Sequence, residues 1–252
     1  MTAKVTVGSA TVPVTLTSTD FVVGNDGMNV GSYQYSLTNT GIAKLQQAVG
    51  SNYQLDASEL AKLTGAITIT PAEGAVNLSD TSFVYDGKTK ASQAQGLTAN
   101  VTVGNETVPV TVTSADIAVA NDGVNVGSYQ YTLTDAGIAK LQRAVGSNYQ
   151  LNASELAKLT GTITITPAEG AVNLSDTSFV YDGKTKASQA QGLTANVTVG
   201  NETVPLTLAP ADFVVANDGV NVGSYQYTLT ATGIAKLQQA VGSNYQLTVS
   251  EL

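Results

Sequence analysis

Short runs in which apolar residues alternate with polar ones recur along this chain. Once in each recurrence the spacing lengthens to three and four. Near the middle, Val101 and Val103 alternate with threonine, and Val108, Val110 and Val112 do the same. A period of two predicts strands with one buried face. Gly104-Asn105-Glu106 lies between the runs and predicts a hairpin with a short loop. Pro109 cannot donate to a ladder, so its run belongs at a sheet edge or a bulge, and Pro13 and Pro205 repeat that constraint. Further along, Tyr129, Tyr131 and Leu133 face one way and Ser128, Gln130 and Thr132 the other, predicting a strand over 124–134.

The longer spacing comes next. Ile138, Leu141 and Val145 are three and four apart, with Ala139 and Ala144 between them. This predicts one helix of about ten residues, started by Thr134 or Asp135 and stopped by Gly146. Asn148-Tyr149-Gln150-Leu151 reads as short and extended. Asn152-Ala-Ser-Glu155 is a capping-box pattern that predicts a single helical turn, and Asp56 and Thr248 hold the same position elsewhere. Thr162 to Thr166 predicts a closing strand, ended by Pro167. Upstream, Val76 to Tyr85 predicts one strand that ends in the turn residues Asp86-Gly87, and Lys88 to Gly96 predicts a loop. Short apolar residues over 116–120 are followed by the turn Asn121-Asp122-Gly123.

This pattern occurs more than once. Residues 61–156 and 157–252 differ at 12 of 96 positions, and Tyr33, Tyr129 and Tyr225 are one position seen three times. The chain is two units of 96 residues plus 60 residues of a third. Solenoid units run to about 20 to 50 residues, so this period denotes an array of domains. Placing the boundary after Ile-Thr-Ile-Thr-Pro gives a partial copy at 1–71 that lacks its opening strand and a complete copy at 72–167. A partial copy at 168–252 then lacks its closing strand. The expected fold is mainly β: tandem β-sandwich, immunoglobulin-like modules, each with a short helical insertion before its last strand. A β-grasp sheet packed on that helix is the alternative. The incomplete copies are expected to leave strand edges able to pair with a neighbouring chain.

Composition narrows the chemistry. The net charge is −8, with only 11 lysines and arginines, so no basic surface is available for nucleic acid. No apolar run approaches the length of about 18 residues that a membrane helix needs, so membrane insertion is not expected. The chain holds no cysteine and no histidine, which removes thiol nucleophiles, disulfides and the usual zinc and haem ligands. No cofactor and no catalysis are expected. Glu106, Asp116 and Asp135 are spread over strand ends and loops and read as solvated acidic surface. Asn121-Asp122-Gly123 and Asp182-Gly183 read as turn chemistry, because the regular ligand spacing of a calcium loop is missing. A Lys–Asn cross-link drawn from Lys88, Lys90, Lys140 or Lys158 with Asn100 or Asn148 is a further candidate. An intact mass without the loss of ammonia removes it. No catalytic, cofactor or metal residues are singled out. The start after Met1 has no charged and apolar leader, and the chain reads as a piece of a longer protein.

The chain carries an ordered set of motifs, complete in the second copy and partial in the other two: Val-Tyr-Asp-Gly-Lys-Thr at 84–89 and 180–185, the strand Asn-Val-Gly-Ser-Tyr-Gln-Tyr, the helix Gly-Ile-Ala-Lys-Leu-Gln, then Asn-Tyr-Gln-Leu and Thr-Ile-Thr-Ile-Thr-Pro-Ala. This set resembles the MBG/YDG-type repeats of bacterial surface proteins, notably cell-wall-anchored adhesins of lactobacilli and their relatives. The resemblance implies extracellular tandem modules that project a binding region, with host mucin or glycan as a possible partner. It supplies no site residues.

Overall fold

The computed structural model describes residues 1–248, and the helical turn expected after Thr248 lies outside them. The chain divides into two compact units. One is Met1–Gly74 with Gln142–Leu151; the other is Ala75–Leu141 with the residues from Asn152 onward. The strands of the second copy are β1 (Ala72–Leu78), β2 (Thr81–Val84), β3 (Thr98–Val103), β4 (Glu106–Thr111), β5 (Ile117–Val119) and β6 (Gly127–Leu133). Then come helix α1 (Asp135–Val145), β7 (Tyr149–Leu151), the turn of helix α2 (Ala153–Leu156) and β8 (Gly161–Thr166).

The strands fall into two kinds of sheet rather than one, which decides for the sandwich over the β-grasp. In the third copy the first sheet has the order Glu202–Thr207, Thr194–Val199, Ala168–Leu174, Tyr245–Leu247. Its last pair is parallel and the others are antiparallel. In the second copy the other sheet has the order β5, β6, β8, β2. There β8 is antiparallel to β6 and parallel to β2. Both kinds of sheet share one core in the third copy. Ala195, Val197 and Val199 come from the first sheet, Phe213 and Leu229 from the second, and Leu237 from the helix.

Local chemistry explains most boundaries. Gly104, at φ +60°, is the first central residue of the two-residue turn between β3 and β4, where glycine adopts that angle without a Cβ penalty. Pro205 lies in Glu202–Thr207, an edge strand, as its missing N–H requires. Thr134 starts α1, its hydroxyl accepting from the Gly137 N–H at 3.2 Å. Asn152 accepts from the Ser154 and Glu155 N–H groups, as Asp56 does from Ser58 and Glu59. The Glu155 carboxylate binds Lys158 at 3.0 Å.

Two expectations change. The strand expected over Val76–Tyr85 is two strands, broken at Ser79-Asp80 where the chain leaves one sheet for the other. The break is held by hydrogen bonds: the Ser79 N–H donates to the Thr98 carbonyl at 2.9 Å, the Ser79 carbonyl accepts the Tyr131 hydroxyl at 2.6 Å, and Asp80 accepts the Thr162 N–H at 2.8 Å. The loop expected over Lys88–Gly96 contains a 3₁₀ turn, Ala91–Gln93, which buries Ala91 and Ala94 beside the fully buried Leu97. Small residues in a polar stretch gave no period to read.

The copies differ in their sheets. In the first copy the second-type sheet has three strands, Phe21–Val23, Gly31–Leu37 and Thr64–Ile69. Its buried cluster is small: Val14, Leu16 and Leu45. In the third copy, residues 175–184 carry no regular structure, and Phe179, Val180 and Tyr181 are exposed.

Candidate functional site

Asn148 and Asn244 occupy equivalent places between the helix and the short parallel strand. A glutamine fixes that corner. Gln142 donates to the carbonyls of Gly146 and Tyr149 and accepts the Leu151 N–H, and Gln238 repeats the arrangement with Gly242, Tyr245 and Leu247. The Asn148 carbonyl accepts the Ala72 N–H at 3.1 Å. The carboxamide is thereby aimed at another copy of the repeat. Its oxygen accepts the Val30 N–H at 2.9 Å, and its nitrogen donates to the Asn29 side-chain oxygen at 2.8 Å. Asn244 does the same to Val126 at 2.8 Å and Asn125 at 3.0 Å.

The receiving loop is also braced. The Tyr33 hydroxyl donates to the Asn29 carbonyl and the Tyr129 hydroxyl to the Asn125 carbonyl, each at 2.7 Å. In the second unit, Tyr85 of the Tyr-Asp-Gly motif meets Tyr245 edge to face, with ring centroids 5.4 Å apart. Among the described residues, this joint between copies is the one place where polar side chains of different repeats converge with the same geometry twice. The sequence reading missed it. Asn-Val-Gly and Ser-Asn-Tyr recur in each copy, but so does nearly every other residue, so recurrence alone singled out neither.

The acidic residues are largely structural. Asp116, expected on the solvated surface, is only 7% exposed. Its carboxylate binds Lys140 at 2.7 Å and accepts from the N–H and hydroxyl of Thr113. Burial pushes its pKa up, but the hydrogen bonds from Lys140 and Thr113 outweigh this and hold it below the ordinary value. Asp20 with Lys44 and Asp212 with Lys236 repeat the pair. Asp122 of the Asn-Asp-Gly turn accepts from the Ser92 N–H and hydroxyl. Asp86 and Asp182 close their own turns by accepting from Lys88 and Thr89, and from Lys184 and Thr185. Glu106 and Asp135 stay exposed at the starts of β4 and α1. Of the residues weighed for a cross-link, Lys140 and Lys158 pair with carboxylates, and Asn148 belongs to the joint.

These carboxylates set a pH profile. Asp20 is lowered from 3.8 to about 2, chiefly by the Lys44 hydrogen bond, and Asp86 and Asp182 reach about 2 through their threonine hydroxyls. A carboxyl more acidic in the folded state stabilises the fold above its unfolded pKa and loses that contribution as pH falls through the folded value. With no histidine to titrate, the melting temperature is expected to be flat from about pH 8 to pH 5 and to drop between about pH 4 and pH 2. Thermal unfolding across that range checks this; a transition centred near pH 6 contradicts it.

Among the described residues no helix is long and apolar enough to cross a membrane. No curated protein and no solved structure gives a significant match. A family model for the MBG domain matches residues 1–71, 72–167 and 168–252. With every part of the sequence covered by that model, the chain belongs to the MBG domain family, as a tandem array of three copies.

Proposed function

We propose that this array is a non-catalytic stalk in a bacterial surface protein, attached to the cell wall and holding an adhesive region away from it. The observation that supports the reading is the joint. The same carboxamide, one repeat further on, grips the same Asn-Val loop twice, at Asn29-Val30 and at Asn125-Val126. A joint that repeats its geometry adds length in equal steps, whereas a flexible linker does not. Near-identical copies also offer no division of labour between modules.

Small-angle scattering on chains of one, two and three repeats, together with mucin binding, tests the reading. A stalk gains length by a constant increment and shows no mucin affinity that grows with copy number. A steep rise of mucin affinity with copy number, as effective concentration predicts for weak multivalent modules, identifies a glycan-binding adhesin instead. In the same measurement, the pair Asn148→Ala and Asn244→Ala is expected to broaden the distribution of lengths. Each lost hydrogen bond lowers stability by only about 1 kcal/mol. An unchanged distribution removes the joint from the account.

A further inference from the structure

The chain holds 11 tyrosines and neither tryptophan nor cysteine, so at neutral pH tyrosine is the side chain that gives up an electron most readily to a one-electron oxidant. Two of these rings meet. Tyr85 and Tyr245 lie edge to face, with centroids 5.4 Å apart and planes at 88°. The other close aromatic pairs among the described residues, Phe21 with Tyr35 and Phe213 with Tyr227, each include a phenylalanine. One short stretch, Thr166-Pro167-Ala168, holds both tyrosine backbones at the boundary between the second and third copies. The Tyr85 N–H donates to the Thr166 carbonyl at 2.8 Å. Tyr245 lies opposite Ala168 in a parallel ladder, and the Ala168 N–H donates to the Asn244 carbonyl at 3.1 Å. The Asp86 carboxylate closes the turn beyond Tyr85 by accepting from Thr89, so both rings are fixed from the main chain. Both residues are half-buried. The hydroxyls of Tyr129, Tyr131, Tyr225 and Tyr227 donate to carbonyls, whereas those of Tyr85 and Tyr245 have no acceptor among the described residues, so their protons are free to leave.

We infer that Tyr85 and Tyr245 are a modification site, at which a one-electron oxidant joins the two rings through a carbon–carbon bond and staples the boundary between copies. Each phenol gives one electron to the oxidant and its hydroxyl proton to water, leaving a phenoxyl radical. The two radicals couple at ring carbons next to the oxygen-bearing carbon. Each of those carbons then gives its hydrogen to water as a proton while a proton returns to the oxygen, which restores the aromatic ring. The chain loses two hydrogen atoms in all, and two equivalents of the oxidant are reduced. Edge-to-face contact sets the rim of one ring against the other, so coupling asks for a turn of the rings and no movement of the main chain. The new bond ties Tyr85 directly to Tyr245, and tension on the chain then bypasses the residues between them. The inference stands apart from the stalk reading, because it needs only the two rings and an oxidant.

The test exposes the full chain, dilute enough to keep encounters between molecules rare, to photogenerated tris(bipyridine)ruthenium(III), with persulfate as the terminal electron acceptor. Bityrosine fluorescence is expected in the monomer. A peptide map is expected to show one linked pair, Tyr85 with Tyr245, lighter than its two peptides by two hydrogens. Tyr85→Phe and Tyr245→Phe keep the ring packing, and each is expected to abolish that signal. Tyr53 and Tyr181, 47% and 57% exposed, are the competitors. A monomer link that maps to either of them, or bityrosine confined to covalent dimers, overturns the inference. So does a monomer signal that survives either phenylalanine variant. Absence of bityrosine from the chain, while N-acetyltyrosine amide couples in the same mixture, overturns it as well.

Discussion

Replacing Gly137 by alanine is expected to destabilise the second repeat by about 3 kcal/mol, although alanine is the better helix former. At an exposed helical position the same change would stabilise by about 1 kcal/mol. Here an added Cβ lies 2.2 Å from the Asp116 carbonyl oxygen and 3.1 Å from its carbonyl carbon. That oxygen cannot retreat without cost, because it accepts the Thr134 N–H at 3.0 Å. A Cβ added at Gly41 or Gly233 would lie 2.0 or 2.1 Å from the carbonyl oxygen of Asp20 or Asp212, so the close approach is built into all three copies. Chemical denaturation, with hydrogen exchange followed in the second repeat, checks the sign. A stabilised or unchanged variant would show that the helix can shift away from the Asp116 turn.

Asp116→Ala is expected to cost a similar amount, about 3 kcal/mol, by removing a buried partner of Lys140 and freeing the Thr113 N–H. The carboxylate fastens two things at once: the turn before β5 through Thr113, and the middle of α1 through Lys140 at 2.7 Å. A double variant that also carries Lys140→Met is expected to recover part of the loss, because it no longer strands an ammonium beside an apolar side chain. If the double variant is as unstable as the sum of the two single changes, the pair is not coupled. The wild-type dependence on acid below about pH 4 should shrink in the triple replacement of Asp20, Asp116 and Asp212.

The sequence made the alternating strands and the helix legible because burial writes a period into them. Tyr131 and Leu133 are buried and Ser128 and Gln130 are exposed, as the alternation requires. What stayed hidden depends on contacts between distant residues. The break at Ser79-Asp80 follows from partners at Thr98, Tyr131 and Thr162, none of which a local window contains. Asp116 looked solvated because its lysine lies 24 residues away, one face of a helix later. The joint needed a partner 118 residues distant. Near-identity between copies, which made the array obvious, also erased the contrast that would have separated residues that link copies from residues that fill them.

The two parallel ladders have a mechanical consequence. In the second repeat, β1 runs parallel to β7 and β2 parallel to β8, so strands near the start of the repeat lie beside strands near its end and point the same way. Tension applied to the two ends of such a module pulls neighbouring strands along their own axes in opposite directions. Every hydrogen bond in the ladder is then loaded together in shear, rather than being opened one at a time like a zip. A module loaded through its two ends gains resistance to extension from this geometry.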